Sequence, residues 1–137
     1  INSLISLPDS ITAKVFSIDK GRAFDKIDDN KLAKIGFTYV SDRFVDEDSE
    51  PTKIFNKQYV SKNNSLPSFY ATKGFDIMYD VLVRLASGES LKETFNKGAS
   101  YRVESKFNYS KQLFETTQNK GLFILQYNED LTLTRLK

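Results

Sequence analysis

Residues 66–88, LPSFYATKGFDIMYDVLVRLASG, carry apolar side chains at Ala71, Phe75, Met78, Leu82 and Leu85. This is the three- and four-residue spacing of one helical face, and Ile77 and Val81 widen it. A stripe this broad predicts a helix buried against a sheet or another helix along most of its length, ended by Gly88 in the left-handed region. Upstream, Pro51 suits the first position of a second helix, with Ile54, Phe55 and Tyr59 on its buried side and KNNSLP breaking it at 62–67. Downstream, Ser90 and Glu93 have the S-x-x-E spacing of a capping box, which predicts a third helix closed by Gly98.

Elsewhere the period is two. ITAKVFSI (11–18) is rich in β-branched and aromatic residues and reads as a strand, as does FTYVS (37–41). Between them DDNKLAKIG predicts a short helix with Asp28 or Asp29 as cap and Gly36 at its end. DRFVDEDSE (42–50) reads as an acidic loop or crossover. From residue 100 on, YRVESKFN, KQLFETT, GLFILQYN and LTLTRLK are strand candidates, and Asn128-Glu129-Asp130 is the turn of a closing hairpin.

Composition narrows the chemistry. A chain of 137 residues is one domain's worth of polypeptide, enough to bury roughly 68% of its unfolded surface. The net charge of +2 is scattered, without a run of like charges, so a nucleic-acid partner is not expected. The chain has no Cys and no His. That removes disulfides, thiol nucleophiles, the common zinc sites and imidazole bases. The acidic stretches 28–30 and 46–50 lack the oxygen spacing and glycine of a calcium loop and read as solvated loops. No phosphate-cradling glycine loop is present, the tyrosines read as packing residues, and no motif supports an enzyme or a cofactor. No stretch is long enough for a membrane span. The chain opens at Ile1 without a methionine or a signal peptide, which fits a mature or excised piece.

The same helix carries a resemblance. Pro67, Tyr70, Ala71, Gly74, Phe75 and Asp76 match the P-x-x-Y-A-x-x-G-Y-D-A helix of type I periplasmic binding proteins, the amino-acid receptors of ABC transporters, with Phe75 where Tyr is usual. FNKQYVSKNNSLP resembles the helix and loop before that proline, and KGLFILQYNEDLTLTRL is similar to the closing hairpin. The tail NKGLFILQYNEDLTLTRLK is most similar to the variant found in cell-envelope proteins that carry peptidoglycan-binding LysM repeats.

The resemblance implies the C-terminal part of a two-lobed α/β receptor, with helices packed on a mostly parallel sheet and a closing β-hairpin. Residues 1 to about 41 would belong to the second lobe, about 45 to 117 to the first, and about 118 to 137 to the hairpin. In the family the ligand lies between the lobes, beyond the carboxyl ends of strands, and a hinge closes on it. That location implies Asp19 and Lys20, in the turn after the first strand, as ligand contacts. Asp19 would hold an ammonium, whereas Lys20 would favour a carboxylate or phosphate. A solvated turn would carry the same two residues. Tyr70 joins them as a site residue, its ring buried and its hydroxyl at a polar edge. The implied function is non-enzymatic binding of an amino acid or peptidoglycan fragment in the periplasm or cell envelope; a scaffold that kept the fold and lost the ligand is the alternative. Incomplete lobes would leave strand edges and helix faces open, which predicts a homodimer or strand exchange, or else a compact remnant with its own packing.

Overall fold

The computed structural model describes residues 1–8, 10, 11, 13–88, 90–110 and 116–136. The protein is mixed α/β. In chain order its elements are α1 (Asn2–Ile5), β1 (Phe16–Ser17), α2 (Asp29–Lys34), β2 (Thr38–Ser41), α3 (Glu50–Asn63), α4 (Phe69–Ala86) and α5 (Leu91–Thr94). A 3-10 turn (Phe95–Lys97) follows, then β3 (Ser100–Tyr101), β4 (Lys106–Phe107), β5 (Tyr109–Ser110), β6 (Gln118–Asn119), β7 (Phe123–Tyr127) and β8 (Leu133–Arg135). The chain divides into two compact units, residues 1–41 with 122–137, and residues 42–121.

The first unit is built on a sheet of order β1-β2-β7-β8. β1 runs parallel to β2, with Phe16 opposite Thr38, and β2–β7 and β7–β8 are antiparallel. The expected mostly parallel sheet is therefore corrected to a mixed one. The β1–α2–β2 crossover delivers a parallel neighbour and the β7–β8 hairpin an antiparallel one, while β7 returns after residue 121 running antiparallel to β2. The closing hairpin itself is as the sequence predicts; Asn128 Nδ2 donates to the hydroxyls of Thr132 and Thr134, tying the turn to the start of β8. Along β7, Phe123, Leu125 and Tyr127 face inward and Ile124 outward, the period-two alternation of a half-buried strand. They pack with Leu32, Ala33, Ile35, Phe37 and Tyr39. β1 is far shorter than the expected 11–18, and Phe16 and Ile18 at this edge are 71% and 89% exposed. α2 matches its expectation: Asp28 Oδ1 accepts the Asn30 N–H at 2.8 Å, and Gly36 ends it at φ +54°, a backbone state that strains any side chain.

The second unit holds α3, α4, α5 and two small hairpins, β3–β4 and β5–β6. α3 starts where Ser49 accepts the Thr52 N–H and stops at Asn64, with φ +53°. Phe55 is buried against Phe75 of α4, with ring centroids 4.5 Å apart, but Ile54 is 52% exposed, which corrects its expected burial; it lies a hundred degrees round the helix from Phe55.

α4 forms where predicted, with Ser68 as N-cap, yet its orientation is the reverse of the expectation. The buried face is Thr72, Asp76, Asp80 and Arg84, and the apolar stripe lies opposite, with Met78 59% and Leu82 55% exposed. The polar face is the one that finds partners, because Asp76 and Asp80 hold residues 100–105 against it. Two terminal devices also differ. Ser87, not a left-handed Gly88, caps α4, with N–H and Oγ both donating to the Arg84 carbonyl. Gly88 is instead a close-approach position, since a Cβ there would lie 2.7 Å from Thr94 Cγ2. Ser90 has an extended N-cap backbone but makes no side-chain cap bond, so the capping box does not form, although Gly98 ends the segment at φ +94° as expected.

YRVESKFN, read as one strand, is a hairpin. The Asp76 carboxylate draws the N–H groups of Val103, Glu104 and Ser105 to itself and bends the chain between β3 and β4. Most of KQLFETT lies outside the described residues. Among the described residues, no helix is long and apolar enough to cross a membrane.

Candidate functional site

The turn after β1 places Lys20 above the aromatic interior of the first unit. Its Nζ donates to Tyr127 Oη, lies 5.0 Å from the centre of that ring, and stands 3.7 Å from Asp29 Oδ1 at the start of α2. Tyr127 is in turn packed with Phe37 and Tyr39, at centroid distances of 6.4 and 6.2 Å, and Phe24 stacks on Phe37 at 4.5 Å. Partial burial disfavours the ammonium, but the hydrogen bond and electrostatic attraction of Tyr127, with Asp29 and Tyr39 adding to them, outweigh it. The Lys20 pKa lies above the ordinary lysine value. A firmly charged ammonium on an aromatic floor can receive a carboxylate or a phosphate.

Asp19 is exposed beside Lys20, and its N–H donates to Ser17 Oγ at 3.4 Å. In the second unit, Tyr70 is 82% exposed, its ring edge-on to Phe69 at 5.2 Å. The expected burial of that ring is corrected: position 70 sits on the apolar side of α4, away from the face that packs. Tyr127 and Asp29, the partners of Lys20, were not singled out from sequence. The inward alternation of FILQY is the signal that marks Tyr127; nothing local marks Asp29 beyond its place beside a helix cap.

The second unit has its own dense polar arrangement. Asp80 Oδ2 accepts from Arg84 Nε at 2.7 Å; Oδ1 accepts from Arg102 Nη2 at 2.9 Å and Ser100 Oγ at 2.5 Å. Arg84 also donates to the Thr94 carbonyl and lies over the Tyr109 ring. Burial opposes the Asp80 charge, but Ser100, Arg84 and Arg102 overcome it and hold its pKa below the usual aspartate value. This network ties α4 to residues 94–102. Beside it a cleft of about 300 Å3 is lined by residues including Arg43, Glu47, Asn56, Phe69 and Glu104. Glu104 is 3% exposed and its Oε1 has no hydrogen-bond partner. Burial raises its pKa above the usual glutamate value, with Asp76 and Asp42 adding to the rise and Lys73 and Arg43 opposing it. Among the described residues, no group of three or more acidic side chains is placed to hold a metal ion.

Compared with known family models, curated proteins and solved structures, the chain matches none.

Proposed function

We propose that this chain is part of a non-enzymatic, solute-receptor-like domain of the cell envelope, of the periplasmic-binding-protein type, which takes an amino acid or a cell-wall fragment. The observation that carries the reading is Lys20, a half-buried ammonium held on Tyr127 at the carboxyl end of β1, where a ligand carboxylate or phosphate gains a charge-assisted hydrogen bond. The Pro67-to-Asp76 motif on the helix supports it from the sequence side.

Thermal unfolding with amino acids and muropeptides tests the reading. A ligand at a hundred times its Kd stabilises the folded state by about 2.7 kcal/mol. We expect one ligand class to raise Tm for the native chain and to lose that effect in Lys20→Ala. No shift with any ligand favours the second reading, a scaffold without a ligand. A specific observation supports that alternative too: Lys20 already has Tyr127 and Asp29 as partners.

A further inference from the structure

On α4 the buried side is polar and the apolar side stands largely open, although Phe75 at its edge also meets Phe55 of α3. Tyr70, Phe75, Ile77, Met78, Leu82 and Leu85 are between 41% and 82% exposed. No charged residue interrupts the stripe formed by Tyr70, Ala71, Gly74, Phe75, Met78, Val81, Leu82 and Leu85. With side chains of roughly 200 Å2 each, these fractions leave on the order of 650 Å2 of open surface. That exceeds the few hundred Å2 typical of a monomer's apolar patches and approaches the roughly 800 Å2 per partner of a standard interface.

We propose that this face binds a second copy of the chain, the two α4 helices lying antiparallel about a two-fold axis at Met78. The evidence for self-pairing is the order of side chains about that residue. A two-fold axis sets each position against the one equally far on its other side. Gly74 then faces the partner's Leu82, Ala71 faces the partner's Leu85, and Phe75 faces the partner's Val81, while Met78 meets itself. Small residues on one half of the stripe thus stand opposite large ones on the other, the condition for interdigitation. Gly74 fits this role, and no contact among the described residues accounts for it. A Cβ added there would have nothing within 4 Å, so the chain's own packing does not require glycine in the middle of a helix that glycine weakens.

Sedimentation and light scattering on the 137-residue chain test this. The expected species is a dimer of twice 15.7 kDa. Leu82→Glu should give a monomer with an unchanged circular dichroism spectrum. Gly74→Leu should weaken dimerisation roughly tenfold or more, because it sets a second large side chain against the partner's Leu82. Adding Leu82→Gly to it should restore the dimer, because notch and knob have exchanged places. The chain has no cysteine, so Met78→Cys should form a disulfide-linked dimer on mild oxidation, whereas Lys57→Cys, on the exposed side of α3, should not. A chain that stays monomeric, a dimer indifferent to Leu82→Glu, heterogeneous aggregates, or failure of the exchanged pair to recover would each overturn the proposal.

Discussion

Asp80 is a fully buried carboxylate that accepts hydrogen bonds from Arg84, Arg102 and Ser100, and its protonation follows from them. Its pKa is lower in the folded state than in the unfolded chain. The stability it contributes is therefore present above the ordinary aspartate value of about 3.9 and is lost as pH falls through the folded value. Asp80→Asn leaves two guanidinium groups without their carboxylate and should cost about 3–5 kcal/mol at pH 7. Urea unfolding at successive pH values checks this; the gap between native and variant protein should narrow on acidification below the aspartate range. The spacing of Thr72, Asp76, Asp80 and Arg84 is plain in the sequence. The burial of that face is not, because the partners that bury it come from residues 94–105 and no local pattern announces them.

At the scale of elements, local rules located the helices and missed some of their ends. Ser68 accepts the Ala71 N–H at 3.2 Å and caps α4, whereas Ser90, in a better sequence motif, bonds nothing in its turn. Ser68→Ala should therefore lower stability by about 1 kcal/mol, and Ser90→Ala should fall within about 0.5 kcal/mol of the native protein, as read from thermal midpoints. The strands were legible in proportion to their partners. β7 alternates because it has one core face and a neighbour on both sides, whereas in β2 the consecutive Thr38 and Tyr39 are both buried. YRVESKFN folds back on itself because Asp76, nearly thirty residues earlier, competes for its backbone N–H groups.

For the whole molecule, the first unit is made from both ends of the chain. Phe123, Leu125 and Tyr127 complete its core, and β7 pairs with the whole of β2. Removing residues 122–137 should abolish amide protection in residues 29–41 while α3 and α4 keep theirs, as hydrogen exchange would report; protection retained at Tyr39 would contradict the role given to β7. The sequence by itself determined the α/β class, the place of α4 to within a few residues, a cap for α2 at Asp28 or Asp29 and the closing hairpin, since each rests on periodicity or on bonds within a few residues. Only the tertiary structure decided which face of α4 is inside. Hydrophobic periodicity fixes where a stripe lies on a helix, but which side becomes interior depends on what else in the chain supplies a surface to meet it. Here the available surface was a loop of N–H groups with Arg102, which satisfied the carboxylates and left the apolar side open.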